Sequence, residues 1–250
     1  MWWQFAVDFL FPPGCVHCGR DFAVDGCRSS VEGLCCNCLD CLSDADQPVC
    51  YRCAGPVGPN IVTTAGCGLC SHETFAFERV FALGVYSDAL RKACVATKGA
   101  FSAPLAAALT RATQKRCGAE VQELGIQLVV PVPHHWMDRI RRPHLPPVTM
   151  ANEWSRFLKV PCHGNILTKT HRTAPQALLS PAKRRSNLNN AFHVSGRANL
   201  DGLRVLVVDD VVTTGSTVHR LARQLKSAGA AEVFVAAVAR GVGSDRLSRS

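Results

Sequence analysis

The sequence predicts an α/β protein in which a parallel sheet carries helices on both faces, preceded by a small cysteine-rich module. Three observations lead there. From residue 80 onward, apolar runs alternate with helical stretches, the pattern of parallel strands joined by crossover helices. Eleven of the 14 cysteines lie between positions 15 and 70, which sets the opening segment apart from the rest. Residues 205–217 read VLVVDDVVTTGST, an apolar run closed by two carboxylates and a loop of hydroxyls and glycine.

The first element expected is a short helix over residues 2–11, whose Trp2, Trp3, Phe5, Ala6, Phe9 and Leu10 form one apolar face. It is too short to span a bilayer and is interrupted by Asp8. It lacks the basic start and small-residue cleavage site of an export signal. It also carries no lysine or arginine to favour a lipid surface. A face docked on the protein, no membrane insertion and a cytoplasmic location are therefore expected. In a reducing compartment cysteines favour metal over disulfides.

Residues 1–75 contain four Cys-x-x-Cys pairs: Cys15 with Cys18, Cys35 with Cys38, Cys50 with Cys53, and Cys67 with Cys70. Such a pair presents two thiolates on one tight turn, and two pairs complete a tetrahedral Zn²⁺ site. Sixteen residues (positions 19–34) separate the first two pairs, and 13 (positions 54–66) separate the last two, close to zinc-ribbon spacing. Sequential pairing gives two structural zinc sites, a double ribbon whose metal replaces a core too small to fold alone. Crossed pairing is an alternative. The run CCNCLDC offers a second register, Cys38 with Cys41, and leaves Cys27 and Cys36 unassigned. His17 and His72 stand beside the pairs as substitute ligands.

Residues 76–242 supply the sheet. Strands are expected at 80–86, 126–132, 166–168, 203–208 and 232–239, and helices at 89–97, 103–117, 149–158 and 218–228. The polar residues 243–250 form a tail.

The chemistry concentrates after the strand at 203–208. Ligands of open α/β sheets gather at the carboxyl ends of strands, where Asp209 and Asp210 fall. Thr213, Thr214, Gly215, Ser216 and Thr217 then lead into a helix, whose free N–H groups and dipole favour a phosphate. Gly215 permits positive φ and close approach of the backbone to an anion. Two acids beside a phosphate loop suit a ligand with both a phosphate and a vicinal diol, since carboxylates accept hydrogen bonds from sugar hydroxyls. Helix capping alone needs neither the second acid nor the full loop.

Lysines and arginines outnumber acids 28 to 19, a formal charge of +9. The excess favours anionic partners, whether phosphorylated small molecules or nucleic acid. Basic residues gather at 139–142, 169–172 and 183–185.

Taken together, these motifs resemble the ComF family, which is linked to competence and DNA uptake and carries a type I phosphoribosyltransferase-like domain after its cysteine ribbons. The loop at 205–217 resembles the phosphoribosyl-diphosphate motif. FPPGCVHCG at 11–19 is similar to the family's opening, VVPVPHH at 129–135 to its Pro-Val-Pro segment. HRTAPQALLSPAKRRSNLNNAF at 171–192 is similar to its hood, with Gln176, Leu179, Arg184, Asn187, Ala191 and Phe192 on recurring positions. The resemblance implies binding of phosphoribosyl diphosphate, or a related phosphorylated sugar, with Mg²⁺. Asp209 and Asp210 would then be catalytic and the loop substrate-binding, with Lys98 and Gly99 of Thr97-Lys98-Gly99 on the diphosphate. Without the resemblance, Lys98 reads as a surface lysine beside a glycine turn. A noncatalytic adaptor for single-stranded DNA or a competence helicase is the rival reading. One stretch departs from the family: Arg142-Pro143-His144-Leu145-Pro146-Pro147 stands where an arginine is usually followed by Gly-Phe-Asn-Gln. The glycine's freedom and two amides are lost there, and prolines stiffen the turn. His134 and His135 precede it and His144 lies within it; all three read as loop histidines.

Overall fold

The computed structural model describes residues 14–22, 31–43, 47–59, 61–133, 144–169, 192–194 and 199–242. The helix expected at 2–11, the tail, His134, His135, Arg142, Pro143, Cys27, the basic clusters at 139–142 and 183–185, and the hood residues Gln176, Leu179, Arg184, Asn187 and Ala191 lie outside them.

In chain order the elements are α1 (Cys36–Leu42), β1 (Val80–Val85), α2 (Asp88–Ala96), α3 (Ala103–Glu123), β2 (Leu128–Pro131), α4 (Pro146–Leu158), β3 (Leu167–Lys169), β4 (Phe192–Val194), β5 (Arg204–Val212), α5 (Ser216–Ser227) and β6 (Glu232–Arg240). Four strands form one parallel sheet in the order β1-β6-β5-β2. Their side chains alternate between faces. On one face Leu206, Val208, Phe234, Ala236 and Phe81 pack with Leu109, Ala112, Met150 and Trp154 of α3 and α4. On the other, Val205, Val207, Val233 and Val235 pack with Val218, Leu221, Ala222 and Leu225 of α5. Helices thus cover both faces, as the unalternating strands require.

The cysteine-rich segment contributes to these same clusters. Leu34, Leu39 and Leu42 join the α3 face, and Ala54 joins the α5 face. Arg111 of α3 donates to the Glu32 carbonyl at 3.0 Å, and the Val80 amide donates to the Arg52 carbonyl at 3.0 Å. Apolar side chains from before residue 75 therefore extend the cores on both faces of the sheet.

Several elements differ in extent from expectation. Helix α3 runs to Glu123 instead of ending at residue 117, because Gly118 sits where Phe157 of α4 crosses it, 2.7 Å from the place a Cβ would occupy. Helix α4 begins three residues early, with prolines in its first turn, where a missing N–H costs nothing and the fixed φ suits a helix. Strand β5 continues four residues beyond residue 208, through both acids, because β6 runs alongside it: Asp209 faces Ala237 and Val212 faces Arg240. The strand expected at 166–168 does form, but as β3 in a separate antiparallel pair with β4, outside the parallel sheet. Among the described residues, no helix is long and apolar enough to cross a membrane.

Candidate functional site

The carboxyl end of β5 brings together residues far apart in sequence. The Asp209 carboxylate accepts from the Asp210 amide at 2.9 Å, and the Asp210 carboxylate accepts from the Val211 amide at 2.9 Å. The other Asp210 oxygen lies 3.1 Å from Lys98 Nζ, which α2 delivers just past its last turn. Ser102 Oγ donates to the carbonyls of Gly99 and Thr97 and closes the turn that carries Lys98.

These contacts set the charges. Burial, and then the adjacent charge of Asp210, hold the Asp209 carboxyl well above the usual carboxylate range. Burial alone would lower Lys98, but the Asp210 carboxylate outweighs it and raises the lysine above its usual value. Asp210 and Lys98 thus form a pair at the rim, and Asp209 is the strained acid behind it.

The loop after β5 turns on Gly215, the N-cap of α5, at φ +76°. Phe75 and Phe77 lie 3.3 and 3.5 Å from where its Cβ would be, so both the backbone angle and the space favour glycine. Thr213, Thr214, Ser216 and Thr217 are exposed around it. Thr214 Oγ1 bonds Ser216 Oγ and accepts from the Ser216 amide at 3.3 Å. Together with Asp209 these residues line a pocket of about 40 Å³. On the other side of Thr213 and Thr214 a cavity of about 220 Å³ opens toward Leu69, Glu73, Tyr86 and Arg240.

Two residues that the sequence reading passed over support this loop. His219, one turn into α5, accepts at Nδ1 from the Ala76 amide at 3.0 Å. Burial, helped by Arg223 and Arg220, lowers its pKa, which suits a neutral ring that accepts there. Arg240 ends β6 almost fully buried. An arginine closing the apolar run EVFVAAVAR was the available signal.

The cysteines assemble into two tetrads, Cys15/Cys18/Cys35/Cys38 and Cys50/Cys53/Cys67/Cys70, with all sulfurs of each within 4.8 Å of one another. Pairing is sequential. Sulfur separations of 3.8 Å (Cys18–Cys35), 3.7 Å (Cys50–Cys70) and 3.7 Å (Cys53–Cys67) match the edge of a tetrahedron with Zn–S bonds of about 2.3 Å, roughly 3.8 Å. The donor set therefore fits two zinc ions, with no position left for a catalytic water. Burial opposes ionisation of Cys15, but the backbone N–H groups of Cys18, Cys35 and His17 outweigh it and bring the thiol down to about 7, whereas burial and the neighbouring thiols of the same tetrad push Cys38 up. Cys41 is exposed and, like His17 and His72, belongs to neither tetrad, so the second register is not used. His144 bonds Thr149 Oγ1 through Nδ1 at 3.1 Å at the start of α4, as a loop histidine.

A parallel sheet with paired acids and a hydroxyl–glycine loop at the end of a central strand defines a phosphoribosyltransferase-type domain, and the profile of the phosphoribosyl transferase domain family matches residues 148–249. More particularly, the chain belongs to the ComF family. Competence protein F of Haemophilus influenzae is 27% identical over 232 residues, 90% of this chain and 96% of its own length. DNA utilization protein YhgH of Escherichia coli O157:H7 is 30% identical over 197 residues, 76% of this chain and 83% of its own. The Salmonella typhimurium YhgH is 29% identical over 224 residues, 82% and 96% of the two chains.

Proposed function

We propose that the protein binds phosphoribosyl diphosphate, or a related phosphorylated sugar, with Mg²⁺ at the β5–α5 loop and transfers the phosphoribosyl group to an acceptor. The observation that carries this is the cluster of Asp209, Asp210 and Lys98 beside the Gly215 loop. In this reading the loop amides and hydroxyls hold the 5-phosphate, and the two carboxylates accept from the ribose hydroxyls. The Asp210 carboxylate also stabilises positive charge at the anomeric carbon as its bond to diphosphate breaks. Diphosphate leaves with the bonding electrons, the acceptor's lone pair forms the new bond, and the acceptor's proton passes to water. Lys98 exchanges its contact with Asp210 for one with diphosphate, to which it brings a point charge. Mg²⁺, when bound with the substrate, would supply charge neutralisation for the departing diphosphate. The names of the relatives support a role connected with DNA uptake or utilization.

Calorimetric titration of zinc-loaded protein with phosphoribosyl diphosphate and Mg²⁺ tests the reading, with Asp209→Asn/Asp210→Asn as control. Binding at about micromolar Kd, near −8 kcal/mol, is expected and is lost in the control. No binding by folded, metal-loaded protein sinks it. Tight, salt-steep binding of single-stranded DNA in its place supports a noncatalytic adaptor.

A further inference from the structure

The two tetrads stand in different relations to the phosphate loop. The first lies against α3: Gly33 meets Ala108, and Glu32 meets Arg111. The second is joined to the loop at two places.

The first connection is Arg240. Its Nε donates to the carbonyl of Cys53 at 2.7 Å, while Nη1 donates to the carbonyl of Val212 at 3.2 Å and to those of Thr213 and Gly241. One buried guanidinium therefore ties a metal-ligand residue to the start of the loop. A planar fork can satisfy several fixed carbonyls at once, which a lysine cannot do. The second connection is Phe75. It packs against the four cysteines, stacks on Phe77 with ring centroids 4.5 Å apart, and lies 3.3 Å from the place a Gly215 Cβ would occupy. Arg52, inside the third Cys-x-x-Cys pair, donates to the Cys70 carbonyl at 3.1 Å and lies 5.3 Å over the Phe75 ring. The next residue, Ala76, is the one bonded to His219 in α5. Both ends of the loop thus rest on the second tetrad.

We infer that Arg240 and Phe75 are positioning residues through which the second tetrad, and not the first, sets the shape of the 212–217 loop. The apolar support of that tetrad consists of Val57, Leu69 and Phe75 beside the cysteines themselves. In so small a cluster, metal-binding free energy is folding free energy. Without the ion, the Cys53 carbonyl and the Phe75 ring lose their fixed places, and the loop loses its supports. That this loop binds a sugar phosphate rests on the reading proposed above; that its order depends on the second tetrad does not.

Hydrogen exchange on the full, zinc-loaded chain separates the two. The comparison uses wild type, Cys67→Ser/Cys70→Ser, Cys35→Ser/Cys38→Ser, Arg240→Lys and Arg240→Gln, with zinc content measured in parallel. Amides at 212–217 should exchange about tenfold faster or more in the second-tetrad variant and in Arg240→Gln, with the β5 amides at 205–208 still protected. Arg240→Lys should fall between, and both Arg240 variants should retain two zinc ions. The first-tetrad variant should lose one ion and leave the loop unchanged. Arg240→Gln decides the matter if Cys67→Ser/Cys70→Ser does not fold. Unchanged loop exchange in two-zinc Arg240→Gln, or equal loosening by the first-tetrad variant, overturns the inference. Titration of the same proteins with phosphoribosyl diphosphate and Mg²⁺ should show affinity falling in step with loop order. A wild type that binds no ligand refutes the proposed function, while the exchange result still decides the coupling.

Discussion

Asp209 is a residue held against its own stability. A carboxyl whose pKa is raised on folding keeps its proton in the folded state where the unfolded chain has already lost it. By linkage, folded-state stability then falls as pH rises from the ordinary carboxylate value of 3.8 through the raised one. Asp209→Asn removes that loss and keeps an oxygen for the Asp210 amide. The variant should melt about 2–4 °C higher than wild type near neutral pH, a shift worth about 1 kcal/mol. The gain should vanish below the ordinary carboxylate value, as scanning calorimetry across pH would read. A lower melting temperature for the variant at neutral pH would show that the carboxylate is stabilised where it stands. The residues themselves singled out Asp209 and Asp210, and only the family resemblance added Lys98; neither gave a means of seeing that Lys98 reaches Asp210. That contact depends on α2 lying beside the end of β5.

The Cys-x-x-Cys turns form their sites locally, but which turns pair is settled by packing. The long-range sulfur contacts, Cys18 with Cys35 and Cys53 with Cys67, span 17 and 14 positions. Metal analysis of the purified chain should give two zinc ions. Cys41→Ser, His17→Ala and His72→Ala should each keep both, and Cys18→Ser/Cys38→Ser should keep one. Two ions retained by the last variant would mean that other residues complete the first site. Element boundaries were least legible where a neighbour overrides local preference. Helix α3 runs past its expected end because α4 crosses at Gly118, and β5 continues through its acids because β6 continues beside it.

At the scale of the whole molecule, two apolar cores, one on each face of the sheet, both receive side chains from the cysteine-rich segment. Trp154, in the core on the α3 and α4 face, is among the protein's largest fully buried side chains, 1% exposed, with Phe157 edge-on at 5.8 Å. Trp154→Ala should cost about 3–5 kcal/mol in denaturant unfolding and leave the number of bound zinc ions at two. A loss below about 1 kcal/mol would mean the site repacks freely. By itself the sequence determined the α/β class, the parallel strands, the four thiolate turns and the acid–hydroxyl–glycine loop. Each of these is written in short-range pattern: unalternating apolar runs, two-residue spacings, a glycine where positive φ is needed. Tertiary structure decided the rest: Lys98 on Asp210, sequential pairing of the cysteines, β3 leaving the parallel sheet, and Arg240 between the second tetrad and the phosphate loop. Those contacts join residues more than a hundred positions apart in the case of Lys98 with Asp210 and Arg240 with Cys53. Such pairs are fixed by which elements pack together, and a local pattern carries no record of that.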